Sequence, residues 1–397
     1  MDFSDMLIVG AGHGGISAAS ELRRAGFGGQ VTVINGEAAQ PYHRPPLSKA
    51  WLKGDVDEES AWLQPPSFFE SQNIQMRSGT EVVELDATNR LAALGDGSTI
   101  EFEHAILATG ALVRPLPATD GDTPTLLQLR DAADAAVLKD LIRSRGRFAI
   151  VGGGFIGLEV AATAQLLGAD VCVIERERRL LARLASEPLS KHLAVLHATR
   201  GVDIRLGTDL SGISSGAGGK ASVTLGVDAP LAFDHVLVAI GAVPNDALAR
   251  SAGLECADGI IVDAGGRTSE HHIFAIGDVA RRPLGRYAES VRLESVHNAN
   301  EQARIVAAEI TGTQPPVIST PWFWSDQYDS KLQIAGLLPS DCITELRGDP
   351  ASGSFALLHR VDGRLRCVEA VNSSREFALG KRQIAADLHS TPRHTER

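Results

Sequence analysis

Cysteine is scarce in this chain: there are four in 397 residues, Cys172, Cys256, Cys342 and Cys367, and no two of them form a CxxC or CxxxxC pair. That scatter offers neither the ligand spacing of a metal site nor the redox-active dithiol of a disulfide reductase, so no metal is expected. Long apolar runs are missing as well. No stretch approaches the roughly 18 to 20 residues required to cross a bilayer, and Met1-Asp-Phe-Ser-Asp5 lacks the basic segment that opens a secretory signal. These absences lead to the expectation of a cytoplasmic protein that does not engage a membrane. Basic charge is in deficit too, with a net charge of −11. Nonspecific nucleic-acid binding needs a basic surface to displace counterions, so it is not expected here. What is present, 44% hydrophobic and 22% charged residues, suits a globular chain long enough for two or three domains with substantial cores.

Glycine is plentiful and patterned. Gly10-Ala-Gly12-His-Gly14-Gly15 follows the apolar run Met6-Leu-Ile-Val9 and precedes small and apolar residues at helical spacing from Ile16 to Arg23. In a strand, loop and helix, the first glycine permits a tight turn and the second lets the backbone approach a pyrophosphate. The last allows helix to pack on strand, while the helix N-terminus attracts the phosphate charge. A second strand, Val31-Thr-Val-Ile34, ends just before Glu37, where a carboxylate would accept hydrogen bonds from an adenosine ribose.

The unit recurs about 140 residues later. Phe148-Ala-Ile-Val151 leads into Gly152-Gly-Gly154-Phe155-Ile-Gly157, the helix Leu158–Leu167 follows, and Val171-Cys-Val-Ile174 runs into Glu175. An acid at that strand end accepts from both ribose hydroxyls and repels a 2′-phosphate, which favours NADH over NADPH. Arg176, Arg178 and Arg179 stand close enough to offer a phosphate the opposite welcome. Two such loops imply two dinucleotides, the arrangement for passing a hydride from a soluble nicotinamide to a resident flavin.

Each unit closes in the same manner, with Ala105-Ile-Leu-Ala108-Thr109-Gly110 before the proline-rich Arg114-Pro-Leu-Pro117, and Val236-Leu-Val-Ala-Ile-Gly241 before Pro244. A duplicated nucleotide-binding plan is expected. Farther along, Ile273-Phe-Ala-Ile276 ends in Gly277-Asp278, and a helix should start near Ser295 and stop at Gly312. From Pro321 to about Leu388 short alternating stretches, Lys331–Ala335, Phe355–Leu358 and Arg366–Val371, predict antiparallel strands with one terminal helix, the last eight residues being a tail.

These residues resemble the FAD-dependent, NADH-linked ferredoxin reductases of bacterial oxygenase systems, with rubredoxin reductases close by. The resemblance rests on the paired loops, Pro45-Pro46-Leu-Ser-Lys49, Ala108-Thr-Gly110, Gly277-Asp278, Leu293-Glu-Ser-Val296 and Pro321-Trp-Phe-Trp-Ser-Asp-Gln-Tyr328, and so covers nearly the whole chain. It implies a fold with two Rossmann-like dinucleotide-binding domains of the glutathione-reductase type and an α+β carboxy-terminal domain. The FAD domain would comprise residues 1–108 and 241–318, the NAD domain 109–240, and the last domain 319–397.

The resemblance also implies roles. Arg44, Pro45, Lys49, Val82 and Arg130 would join the first loop and Glu37 in holding FAD, with Asp278 on a ribityl hydroxyl. Lys49 would lie beside the isoalloxazine, where an ammonium favours the negative charge of reduced flavin. Val296 opens a helix whose N-terminus would face the flavin, and His297 after it departs from the family's usual residue. Phe155 would shield the flavin until nicotinamide displaces it, and Glu159 would lie near the carboxamide. Trp322 and Trp324 would stand near the flavin or the electron exit. The implied partner is an acidic 2Fe-2S ferredoxin docked on Arg304, Lys381 and Arg382, with Arg281, Arg282 and Arg286 as a second group, and the chain would be a monomer or weak homodimer.

Two other readings share the paired loops. Disulfide reductases and thiol-dependent oxidases need a redox cysteine near the flavin, and Pro41-Tyr-His-Arg-Pro-Pro-Leu-Ser-Lys49 contains none. A flavoprotein with a signalling or scaffold role would be expected to carry targeting or nucleic-acid-binding extensions.

Overall fold

The computed structural model describes residues 2–116, 124–285 and 290–389. The chain divides into two compact units. The first comprises Met1–His43, Glu58–Leu112 and Val243–Pro321, and the second Arg44–Asp57, Val113–Ala242 and Trp322–Arg397.

In the first unit the strand Asp2–Val9 lies parallel to Val31–Asn35 on one side and Thr99–Leu107 on the other, in the registers Ile8↔Val33 and Leu7↔Ala105. Ile74–Ser78 extends the sheet beyond Val31–Asn35, and Ile273–Ala275 pairs with Thr99–Leu107. Central parallel strands are buried on both faces, which is why Met6, Leu7 and Ile8 form an unbroken apolar run with no exposed surface. The helix His13–Arg24 follows the first strand through the glycine loop. The late helix Val296–Thr311 begins and ends where its sequence signals fall: Ser295 caps its start by accepting from the Asn298 amide, and Gly312 closes it in the left-handed conformation.

The second unit repeats the scheme. Arg147–Val151 sits between Asp170–Glu175 and His235–Val238, all parallel, and the helix Phe155–Leu166 follows the second loop. The same unit holds a five-stranded antiparallel sheet in the order Ile343–Asp349, Ser354–Val361, Arg364–Val371, Ser330–Gly336, Trp322–Gln327. The helix Ser374–His389 comes last. Three of these strands contain the apolar stretches that predict them, Lys331–Ala335, Phe355–Leu358 and Arg366–Val371, while Trp322–Gln327 reads in the sequence as a motif and not as a strand. Ile343–Asp349 is not predicted, because as an edge strand it buries no residue and shows no alternation. Arg44–Asp57 joins this unit because its short turn Pro45–Ser48 is hydrogen-bonded to the helix Phe155–Leu166, the Ser48 carbonyl accepting from Thr163 Oγ1 at 3.0 Å.

Candidate functional site

The two glycine loops share one geometry. Gly10 has φ +107° and Gly152 φ +113°. A Cβ would stand 2.4 Å from the Ala108 carbonyl oxygen at the first and 2.3 Å from that of Ala239 at the second. At the last glycine of each loop a Cβ would lie 1.9 Å from the Gly10 oxygen (Gly15) and 2.4 Å from the Gly152 oxygen (Gly157). Packing of backbone on backbone therefore requires glycine at both ends. The middle positions differ. A Cβ on Gly12 would meet nothing within 4 Å, and one on Gly154 would meet only the Ala239 oxygen at 3.9 Å, while Gly14 has side-chain neighbours no nearer than 3.5 Å. Gly12 and Gly154 are also the N-cap residues of their helices, and no side chain caps either start. Open space before an uncapped helix N-terminus is what a pyrophosphate needs, so both loops fit a dinucleotide.

The acids are held differently. Tyr42 donates its hydroxyl to Glu37 Oε2 at 2.5 Å. Glu175 accepts from the Gly153 amide on Oε2 at 2.7 Å and from the Glu177 amide on Oε1 at 2.8 Å, which fixes its carboxylate against the second loop. Of the nearby arginines, Arg179 is spent internally on the Ala185 carbonyl at 2.7 Å and Ser190 Oγ at 2.8 Å. It is therefore not available to greet a 2′-phosphate, and Arg176 and Arg178 remain exposed.

Around the first loop, Thr109 Oγ1 donates to the Asn245 carbonyl at 2.6 Å, and the Asn245 amide donates to the Gly110 carbonyl at 3.0 Å. Asp278 follows the left-handed Gly277 and is half-buried. Val82 is half-buried and packs against the apolar cluster of its sheet. Val296 is the first helical residue. His297 Nε2 lies 2.8 Å from Ser319 Oγ, and Ser319 Oγ itself donates to Glu301 Oε1 at 2.7 Å. With its hydroxyl proton committed to a carboxylate, Ser319 accepts from His297 Nε2.

The second unit gathers residues that the sequence treated separately. Lys49 Nζ donates to Glu159 Oε2 at 2.8 Å, Ser48 Oγ donates to the same oxygen, and Ser325 Oγ donates to Oε1 at 2.7 Å. Glu159 is 5% exposed and Lys49 half-buried, so removing the lysine would leave a largely desolvated carboxylate without its counter-charge. Phe155 meets Phe323 edge-on at 4.9 Å between ring centroids, a contact worth about 1 kcal/mol beyond its burial. Arg44 donates from Nη1 to the Arg130 carbonyl at 2.7 Å, while Gly241 accepts from the Arg114 amide at 2.9 Å and has φ +107°. Trp322 and Trp324 lie tilted at 35° with ring centroids 5.7 Å apart, and the Lys381 ammonium is 4.8 Å from the Trp322 ring centre.

The proposed docking cations fare unequally. Arg282 is buried and pairs with Glu301 Oε2 at 2.5 Å and Asn298 Oδ1 at 2.9 Å, so its place on a docking surface is corrected. Arg281 is half-buried beside Asp258 at 3.4 Å. Arg304 is half-buried on the helix Val296–Thr311, Arg382 is exposed on the last helix, and Arg286 lies outside the described residues. Ser48, Tyr42, Phe323 and Ser325 were missed as site residues. The available signal for the last was a polar residue ending the aromatic run Trp322-Phe-Trp-Ser325. Among the described residues no group of His, Cys, Asp or Glu could hold a metal, and no helix is long and apolar enough to cross a membrane.

Twin nucleotide loops with acid-tipped second strands define a pyridine-nucleotide-linked flavoprotein oxidoreductase. Residues 4–303 match the pyridine nucleotide-disulphide oxidoreductase family and residues 322–395 the family described as reductase C-terminal, and the chain belongs to the former. Within it, the chain is one of the ferredoxin reductases of bacterial oxygenase systems. It is 41% identical to rhodocoxin reductase of Rhodococcus erythropolis, over 98% of this chain and 91% of the relative. It is 36% identical to putidaredoxin reductase of Pseudomonas putida, over 98% and 93%. The structure is similar to the reductase in the covalent putidaredoxin reductase–putidaredoxin complex, with a TM-score of 0.93 at 36% identity over 97% of this chain and 93% of that one. The ferredoxin reductase of the CYP199A2 system from Rhodopseudomonas palustris gives 0.91 at 39% identity, over 96% and 93%.

Proposed function

We infer that the protein is an NADH-dependent ferredoxin reductase that passes electrons one at a time to a 2Fe-2S ferredoxin serving an oxygenase. The observation that carries this reading is the pair of matched, uncapped glycine cradles in a chain whose Arg44–Asp57 segment supplies a lysine, and no cysteine, to the buried glutamate of the second unit. FAD, when bound, supplies the conversion between a two-electron donor and one-electron acceptors. In the first unit the amides of the Gly10–Gly15 loop and the Glu37 carboxylate would hold its pyrophosphate and adenosine ribose, with Thr109, Gly110, Gly277, Asp278 and Val296 lining the rest. Val82 and Arg130 would touch the adenine and phosphate portions.

In the second unit the Gly152–Gly157 loop and Glu175 would receive NADH. Lys49 holds a positive charge and exchangeable protons at Nζ, and Glu159 fixes the direction in which that ammonium points. Phe155, propped by Phe323, excludes water until a nicotinamide ring takes its place. Trp322 and Trp324 present polarisable rings beside Lys381, and the positive charges of Lys381 and Arg382 here, and separately of Arg304 in the first unit, favour an acidic partner.

Anaerobic titration of the yellow protein with NADH tests the reading. Bleaching of the flavin, followed by its return on adding oxidised 2Fe-2S ferredoxin, is expected. A flavin that stays yellow under NADH would overturn it.

A further inference from the structure

Beyond Lys49, a hydrogen-bond chain leads away from Glu159 through Ser325 to residues with no role so far. Ser325 Oγ donates to Glu159 Oε1 at 2.7 Å, and Gln327 Nε2 donates to Ser325 Oγ at 3.1 Å. His197 Nε2 lies 2.8 Å from Gln327 Oε1, and the Tyr328 hydroxyl lies 3.5 Å from His197 Nδ1. Ser325 and His197 have no exposed surface and Gln327 has 2%.

The direction of every bond follows from one end. A carboxylate paired with an ammonium has no proton to give, so Ser325 spends its single O–H on Glu159. Ser325 can then only accept from Gln327, which turns its N–H₂ towards Ser325 and its carbonyl towards His197. That carbonyl needs a donor, so His197 carries its proton on Nε2, and its Nδ1 accepts from Tyr328. Burial lowers the His197 pKa, outweighing the opposing effect of the Gln327 bond, and burial pushes the Tyr328 hydroxyl up to about 12. The charged groups facing the chain are Lys49 at one end and Arg200 at the other. The Arg200 guanidinium lies 5.0 Å from the Tyr328 ring centre and is paired with Asp329 at 2.9 Å.

We propose that Ser325 and Gln327, anchored by His197, are positioning residues for Glu159, forming a one-way chain of donors that fixes which carboxylate oxygen faces Lys49. An amide cannot pass a proton along without reversing both of its bonds, so the chain orients and does not conduct. The proposal rests on the reading of Lys49 and Glu159 as the pair that meets the nicotinamide and flavin.

Gln327→Glu is the discriminating variant, because it keeps the shape and reverses the polarity. A carboxylate at 327 accepts from His197 and also draws the Ser325 proton, so Glu159 loses a donor although Ser325 is still there. Q327E should therefore reproduce Ser325→Ala. Both should slow anaerobic reduction by NADH about tenfold, the scale of one lost hydrogen bond to a charged group. Both should shift the pH profile of that step in the same direction, with NADH affinity little changed, and Ser325→Thr should restore the profile. Nitrogen NMR of the histidine-labelled holoprotein should find His197 protonated on Nε2. An Nδ1-protonated His197, or wild-type pH profiles in both S325A and Q327E, would overturn the proposal. If NADH does not bleach the wild-type flavin at all, the functional reading falls instead, and the tautomer still reports on the chain's direction.

Discussion

Glu175 uses each carboxylate oxygen once, on the Gly153 and Glu177 amides, and a carboxylate offers about four acceptor sites. The remaining lone pairs can receive two ribose hydroxyls, whereas a 2′-phosphate would be repelled by the carboxylate itself, with Arg176 and Arg178 the opposing charges nearby. Replacing Glu175 with serine should raise the KM for NADH about tenfold or more, on the scale of about 1.5–3 kcal/mol for a charged hydrogen bond. It should also narrow the preference over NADPH, which kcat/KM for the two coenzymes would measure. An unchanged ratio would shift selectivity to the arginines that follow. Lys49 and Glu159 were each legible in the sequence through the family resemblance. Their pairing was not, because 110 positions separate them and no local pattern records a contact made by folding. Arg282 shows the converse. Its partner Glu301 lies 19 positions away on another element, and nothing in the sequence tells a buried arginine from a surface one.

The glycine loops were legible at the level of elements, because strand, turn and helix periodicities surround both and each end-glycine has a backbone reason to be there. Their middle and last glycines should separate in mutagenesis. Gly12→Ala adds a methyl group to open space at an N-cap, where alanine costs at most about 1 kcal/mol. The protein should fold with a nearly unchanged urea midpoint when stripped of flavin, yet purify with less flavin. Gly15→Ala drives a Cβ to 1.9 Å from the Gly10 oxygen, and should lower that midpoint itself by an amount equivalent to about 1–3 kcal/mol or more. The comparison needs only flavin content and urea curves. A Gly12→Ala protein that keeps its full flavin would remove the open cradle from the argument. The edge strand Ile343–Asp349 remained illegible for the opposite reason: it buries nothing, so no period marks it.

For the whole molecule, acid is the expected weakness. Burial lowers the pKa of His104, His192, His197 and His235 from the ordinary 6.5. The unfolded chain therefore binds protons first as pH falls. Stability contributed by these neutral imidazoles is fully present above about pH 6.5 and is lost as pH drops below it towards their folded values. Cys172 is pushed up to about 12 by burial and by Asp203, so this buried thiol adds no titration near neutrality. Urea midpoints should be level from about pH 7 to 8, decline below 6.5, and decline again towards pH 9 as thiols held protonated by folding ionise in the unfolded chain, and a midpoint that rises on mild acidification would contradict the sign. One strand bears on how such a molecule can diverge. Trp322–Gln327 holds two indoles at its even positions, with Lys381 over the first. Its odd positions, Phe323, Ser325 and Gln327, face Phe155, Glu159 and His197. Substitution can thus alter the even set while leaving the contacts of the odd set in place. Inserting or deleting a single residue would exchange the two sets at once, so this strand should tolerate a change of composition on one face and not a change of length.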